Sequence, residues 1–332
     1  MQYVMFGNTG MKVSRFALGA MTFGSRLDLP EAARVVDEAI DHGVNLIDTA
    51  DSYGDSEQLL GQILSPDKRE KVFVATKVFR RFCREGRVGR NSRTNIVNSL
   101  ERSLRLLNTD YVDLYQLHHP DDETPIEKTL DILDSLVDQG KIRYIGVSNH
   151  YAWQMALMLG ESKLHGWAPL VSLQANYSIL DRQIESEAVP LLSKLNIALM
   201  CYGPLCGGIL TGKYHGPEGI PGGSRGATNR KVVEYVEDPG VRSIVAALVA
   251  IALECGLGMN QVAILWLMAK PYATTLILGG TRPEHFADIY SIAEQSLPPE
   301  VIGRIDALSA SRVHTDFANQ PFRWGPGLFQ RR

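Results

Sequence analysis

The chain has 332 residues, 45% of them hydrophobic, and a formal net charge of -3 at neutral pH. It is long enough to bury a large core, and so small an acidic excess gives no electrostatic reason to bind nucleic acid or an anionic membrane. No stretch approaches the roughly 18 apolar residues of a membrane span and the N-terminus has no basic leader, so a cytoplasmic protein is expected, with self-association left open.

In chain order, the alternation of Val4 to Leu18 around Gly7-Asn8-Thr9-Gly10 predicts a hairpin, and Phe16 to Met21 continues as a first buried strand. After Pro30, Ala33, Val36, Ala39 and Ile40 recur at helical spacing over Glu31 to Asp41, with Gly43 beyond the end. Asn45 to Tyr53 reads as a strand that spills into a polar loop. The alternation then repeats: helix Ser56 to Leu64, strand Val72 to Val78, helix Ser92 to Leu107, strand Val112 to Leu117, helix Pro125 to Gln139. It goes on with strand Tyr144 to Ser148, helix Ala152 to Leu159, strand Leu170 to Asn176, helix Ile184 to Leu195 and strand Ile197 to Tyr202. Strand Thr275 to Gly279 and helix Pro283 to Glu294 complete it.

Eight apolar strands alternating with helices predict an α/β fold of one domain, a (β/α)8 barrel with an N-terminal hairpin. A doubly wound open sheet is the rival, but no strand leads into a Gly-x-Gly-x-x-Gly turn. Three segments exceed the eight-unit plan. Gly203 to about Gly240 is rich in Gly and Pro and is expected to lack regular structure and to lie over the cofactor. Val241 to Cys255 and Asn260 to Ala269 make two helices where the plan needs one. The third excess is the tail from Arg312 to Arg332, with Phe317, Phe322, Trp324 and Phe329, expected to fold over the barrel mouth.

Function in such a barrel sits where the strands end. Asp48 and Tyr53 stand at the second strand's end, Lys77 at the third and His118 with His119 at the fourth. Ser148 and Asn149 follow at the fifth, Gln174 at the sixth and Tyr202 at the seventh. An ammonium in the apolar run Val-Ala-Thr-Lys-Val demands a carboxylate partner, which Asp48 can be. A lysine beside a phenol stabilises the phenolate and lowers a pKa that is otherwise ~10, and His118 can hold a substrate oxygen; together these suit carbonyl reduction. Singly, each residue has a plainer reading: a salt bridge, a core histidine, a loop phenol. A metal site at His118-His119 is not expected, because neighbours on a strand face opposite ways. The four cysteines, Cys83, Cys201, Cys206 and Cys255, form no Cys-x-x-Cys pair and are expected to be free thiols.

At these residues the sequence resembles the aldo-keto reductase family. The likeness is carried by Gly7 to Ser14, Leu46 to Gly54, Ala75 to Val78, Asp110 to His118, Gly140 to Asn149 and Leu173 to Ser178, in the family's order and spacing. Met21 to Gly24 and Leu210 to Tyr214 resemble the long bacterial-type members, which are also similar to potassium-channel β subunits. The resemblance implies a catalytic tetrad of Asp48, Tyr53, Lys77 and His118 and a nicotinamide cofactor, NADPH or NADP+, at the barrel mouth. It further implies cofactor contacts from Ser148, Asn149, Gln174, Tyr202, Gly203, Leu205, Gly280, Arg282, His285 and Asp288. Phe23, Tyr53, His118 and Trp324 would form the pocket for a small carbonyl substrate, sugar-derived carbonyls being one class. Asp288-Ile289 departs from the family's usual Glu-Asn, which puts the adenine contacts in doubt. Two alternatives stand beside reduction: a dehydrogenase working in the oxidative direction, and a channel-associated subunit that senses redox state without turnover.

Overall fold

The computed structural model describes residues 1–79, 89–215, 220–227, 229–280 and 282–313. Strands β1 (Tyr3–Met5) and β2 (Lys12–Ser14) pair antiparallel, Tyr3 opposite Ser14. In the turn between them Gly7 has φ +54°, and a Cβ there would come within 2.9 Å of the Asn196 carbonyl, so both conformation and close approach require glycine. The hairpin is fastened beneath the barrel by side chains. Asn8 donates to the Leu195 carbonyl at 2.9 Å and the Tyr144 hydroxyl to the Thr9 carbonyl at 2.9 Å, while Asn45 accepts from Ser14 N–H at 2.7 Å.

Strand β3 (Phe16–Gly19) begins the barrel, followed by α1 (Leu29–Asp41), β4 (Leu46–Asp48), α2 (Ser56–Ile63), α3 (Pro66–Arg69) and β5 (Phe73–Val78). Next come α4 (Arg93–Leu107), β6 (Val112–Leu117), α5 (Ile126–Asp138), β7 (Ile142–Ser148), α6 (Ala152–His165), β8 (Leu170–Asn176), α7 (Ala188–Leu195) and β9 (Ala198–Tyr202). After the long connection stand α8 (Arg230–Glu237), α9 (Pro239–Cys255), α10 (Met259–Met268), β10 (Thr275–Leu278), α11 (Glu284–Tyr290) and α12 (Pro299–Leu308). Strands β3 to β10 pair in parallel in sequence order, and β10 closes on β3, Leu276 opposite Phe16. This is the (β/α)8 barrel that the alternation predicts, with a hairpin before it and a further helix after it.

Local chemistry explains where the elements begin. Helix α1 starts at a reciprocal cap: Asp28 accepts from Glu31 N–H at 3.0 Å and Glu31 accepts from Asp28 N–H at 3.1 Å. Its Ala32, Val35, Val36 and Ala39 are buried. Helix α7 starts at Ala188 rather than Ile184, because Pro190 has no N–H to donate and is tolerated only in a first turn; a single 3-10 turn covers Gln183–Glu185. The connection from Gly203 to Gly240 corrects the sequence expectation, for it contains α8 and 3-10 turns at Cys206–Thr211 and Arg225–Ala227. Its glycines and prolines lie before residue 227 or at Pro239-Gly240, whereas Arg230–Glu237 has none and buries Val232 and Val236, four apart. Helix α12 begins on Pro299 and buries Val301 and Ile305 at the same spacing.

Around the barrel wall, α12 is tied down by a buried polar network. Asp306 accepts from Lys270 at 2.6 Å and from the Trp266 indole at 3.1 Å, and Arg182 donates to Ser309 at 2.8 Å and to both oxygens of Glu185. Cys201, Cys206 and Cys255 are free thiols. Cys83 lies outside the described residues, as does the tail with Phe317, Phe322, Trp324 and Phe329. No single helix among the described residues is long and apolar enough to cross a membrane.

Candidate active site

The site grows from four strand ends. Strand β4 stops at buried Asp48, and the chain turns into α2 through a loop that polar bonds fix: Thr49 to Ser56, hydroxyl to hydroxyl at 2.8 Å, and Ser56 to the Ala20 carbonyl at 2.8 Å. Tyr53 sits on that loop. Lys77, the last residue but one of strand β5, has no exposed surface, yet all three of its N–H donors are used. Its Nζ lies 2.7 Å from Asp48 Oδ2, 2.8 Å from the Thr49 carbonyl and 3.3 Å from the Tyr53 hydroxyl. The other oxygen of Asp48 accepts from Gln174 at 2.7 Å and Gln116 at 3.3 Å. A buried ion pair is stable only when its remaining lone pairs are satisfied, and the two amides do this.

Electrostatics follows from that packing. Burial pulls the Lys77 ammonium down, but Asp48 and then Tyr53 outweigh it and hold its pKa above the ordinary lysine value. For Tyr53, burial is the largest influence and pushes the pKa up; Lys77 pulls it down, and Asp48 and Asp51 push it up again. The net is a phenol above its ordinary value, which corrects the expectation that Lys77 brings it toward neutrality. Asp48 offsets part of the lysine's field at the hydroxyl, and burial does the rest. His118 stands edge-on to Tyr53, ring centroids 5.7 Å apart at 81°, with Nδ1 3.5 Å from the Ser52 hydroxyl. Burial first, then Lys77 and His119, lower its pKa to about 3, so the imidazole is neutral.

Next along the mouth, Asn149 has left-handed backbone (φ +61°) and joins its neighbours. Its amide donates to the His118 carbonyl at 3.0 Å and to Ser148 Oγ at 3.1 Å, and its Oδ1 accepts from Tyr202 at 2.8 Å. Ser148 donates to the Gln174 carbonyl at 3.1 Å. Burial, then Tyr53 and Asp181, push the Tyr202 phenol up to about 12.

Beyond Tyr202 the structure places the remaining expected residues apart from the tetrad. A Cβ on Gly203 would meet Asn176 Oδ1 at 2.7 Å, and one on Gly280 would meet the Phe286 ring at 2.6 Å. Leu205 packs on the core, and Thr22 donates to the Gly280 carbonyl at 2.7 Å. Arg282 and His285 are exposed; burial, then Lys213 and Arg282, lower the His285 pKa, which marks a basic group of three side chains. Asp288 turns away toward α10, where Gln261 donates to it at 3.0 Å.

Two expectations are corrected here. Phe23 is fully buried in the core and presents no ring at the mouth; Phe79 stands there instead, 5.4 Å from the His118 ring and 5.1 Å from His119. His118 and His119 do not face opposite ways, because both lie past the end of β6 where strand alternation no longer applies, and their rings stack at 5.0 Å. Trp324 lies outside the described residues. Gln116 was missed, although an amide two residues before His118 in an apolar strand was a signal; it lies beside Lys77 in register. Among the described residues no group of three His, Cys, Asp or Glu side chains is arranged to hold a metal ion.

The model of the Aldo/keto reductase family matches residues 15–310. The chain belongs to that family. The reductase is 33% identical to an uncharacterized oxidoreductase, YrpG, of Bacillus subtilis, over 91% of this chain and 94% of the relative. It is 34% identical to a probable voltage-gated potassium channel subunit beta of Oryza sativa subsp. japonica, over 94% and 98%, and 30% identical to the aldo-keto reductase YhdN of Bacillus subtilis, over 90% and 91%. It is thus an NAD(P)H-dependent oxidoreductase of carbonyl compounds. The donor set suits such a cofactor: the hydroxyl and amide groups of Ser148, Asn149 and Gln174 fit a carboxamide, and the basic group of Lys213, Arg282 and His285 fits phosphate.

Proposed function

We propose that this reductase uses NADPH to reduce an aldehyde or ketone to an alcohol, with Tyr53 as proton donor. The observation that carries the reading is the Lys77 ammonium shared between Asp48 at 2.7 Å and the Tyr53 hydroxyl at 3.3 Å, beside a neutral His118. NADPH, when bound, supplies the hydride. Tyr53 must hold a proton at rest, and its raised pKa keeps one there at neutral pH. The substrate oxygen becomes a far stronger base as it gains negative charge and takes that proton, and Lys77 then stabilises the phenolate left behind. Asp48 keeps Lys77 charged and aimed. With Nδ1 toward Ser52, His118 leaves an Nε2–H to orient the substrate oxygen, and a neutral donor does not compete with Tyr53 for the role of acid.

Arg282, with Lys213 and His285, supports a preference for NADPH over NADH, because a 2′-phosphate is a dianion that suits a guanidinium and an ammonium. Ser148, Asn149 and Tyr202 would hold the nicotinamide end. Gln174 would also serve there only through its Oε1, since its N–H₂ is given to Asp48 and Gln116. The test is a panel of carbonyls, sugar-derived and aromatic, followed by NADPH absorbance, with Tyr53→Phe as control. Oxidation of NADPH by the wild type and its loss in Tyr53→Phe by about 10²- to 10⁴-fold, with NADPH still bound, is the expected result. Equal turnover by both proteins rejects Tyr53 as the donor. The potassium-channel relative favours a second reading, a redox-responsive subunit, and that reading predicts bound NADPH with no turnover on any carbonyl.

A further inference from the structure

Asp181 lies outside the tetrad, in the loop after β8, yet three side chains from three segments converge on it. Cys206 Sγ donates to its Oδ2 at 3.3 Å, Ser178 to the same oxygen at 3.3 Å, and the Tyr235 hydroxyl of α8 to Oδ1. Asp181 itself is held by reciprocal backbone bonds with Ser178, both at 3.1 Å. Arg312 completes the cluster: it donates to the Leu180 carbonyl at 2.8 Å, pairs with Asp238 at 3.6 Å and lies 5.4 Å from the centre of the Tyr235 ring.

Cys206 is an unusual residue to find at that junction. Its φ is +47°, a left-handed value that a residue with a Cβ disfavours, and Gly207 (φ +64°) and Gly208 (φ +94°) continue the same turn. Cys206 N–H closes back on the Gly203 carbonyl at 2.8 Å, so the shape of Gly203 to Gly208 depends on a backbone state the cysteine disfavours by itself. The side-chain bond to Asp181 opposes its relaxation. The same carboxylate, by holding Tyr235, fixes the far end of the connection as well.

We propose that Asp181 is a positioning residue for the cofactor site: by accepting from both Cys206 and Tyr235 it holds the turn that follows Tyr202 in its left-handed form. This rests on the NADPH reading above, in which Tyr202 meets the cofactor, and on the contacts that the family resemblance implies for Gly203 and Leu205. The experiment measures NADPH affinity and release by fluorescence in the full-length wild type, Asp181→Ala, Asp181→Asn and Tyr235→Phe, together with KM for a carbonyl at saturating NADPH. Asp181→Ala should raise the NADPH Kd about 10-fold, chiefly through faster release, and Tyr235→Phe, which removes one hydroxyl and keeps the ring against Arg312, about 3- to 10-fold. Asp181→Asn, which keeps one accepting oxygen, should fall between Asp181→Ala and wild type. A double variant, Asp181→Ala with Tyr235→Phe, should be no worse than Asp181→Ala alone, since both changes remove the Tyr235–Asp181 contact. A split in which NADPH Kd rises while the carbonyl KM stays within about twofold supports positioning of the cofactor site. Lower thermal stability with an unchanged NADPH Kd in Tyr235→Phe overturns the inference. Failure of the wild type to bind NADPH overturns the parent reading and this one with it, and is distinguishable because the wild type is measured first.

Discussion

Leu46, Ala75, Leu114 and Met200 pack inside the barrel with Phe6 and Val13 of the hairpin, an apolar floor; two residues further along the same strands stand Asp48, Lys77, Gln116 and Tyr202. One pleat repeat, about 6–7 Å, separates the two layers. The side chains of the floor interact by burial and packing, whereas the layer above it holds an ion pair whose donors and acceptors are matched. Side-chain alternation sends both sets inward, so the polarity of the site owes nothing to a change of backbone. It is a change of residue type at fixed geometry. The lesson is that floor and mouth should respond to substitution in different currencies, stability for the one and rate for the other.

The strongest way to break that division is Lys77→Met. It strands the buried Asp48 carboxylate and should lower unfolding free energy by about 3–5 kcal/mol while also reducing turnover by about 10²-fold or more. Asp48→Asn in the same protein should restore most of the stability, seen by urea denaturation, and none of the rate. Recovery of both would mean that the pair is structural only. Leu114→Ala tests the other layer: a loss of about 2–5 kcal/mol with kcat/KM nearly unchanged is expected, and a large kinetic defect would show the floor and mouth to be coupled.

How much of this could be read beforehand depends on contrast. Lys77 was legible because an ammonium stands out in Val-Ala-Thr-Lys-Val, and the eight strands because apolar runs alternate with helical spacing. Gln116 was not, since an amide in a strand has many uses and its partner Asp48 is 68 residues away. Phe23 and Phe79 both follow strand ends, and nothing in composition says which ring turns inward; that is decided by the isolated bridge between Phe23 and Leu27, a tertiary feature. The net direction of the Tyr53 shift was hidden for a similar reason. Lys77 acts on it as its position suggests, but the balance depends on burial and on two carboxylates whose distances only the fold sets. Helix α8 was obscured by averaging over a window whose glycines and prolines flank Arg230–Glu237 and leave it free of both.

A smaller effect is expected at the rim of the mouth. Arg282→Ala should weaken NADPH by roughly 10- to 150-fold, the worth of one charge-assisted contact, and leave NADH nearly untouched; equal losses on titration would move the phosphate to another group. A last test concerns pH. His118 is held to about 3 and His150, buried and bonded to the Ser148 carbonyl, to about 4, both below the unfolded value of 6.5. Between those limits the unfolded chain binds more protons than the folded one, so stability from these two groups is complete above about pH 6.5 and declines as the pH falls toward 4. Thermal melts across that window should show the decline, and it should diminish in His150→Gln. Over pH 6.5 to 8 neither group titrates, and a stability change there would have another source.

The hairpin beneath the barrel has a consequence for the order of assembly. Its anchors are the Asn45 side chain, the Tyr144 hydroxyl, the Leu195 carbonyl and, through Arg15, the carbonyls of Met268 and Ala273. During synthesis residues 1–15 emerge long before the last of those partners, so this segment can be seated late. Until the strand at residues 275–278 arrives, Phe6 and Val13 have no completed floor to cover. A nascent chain stopped short of that strand should leave residues 1–15 open to protease, and release from the ribosome should protect them.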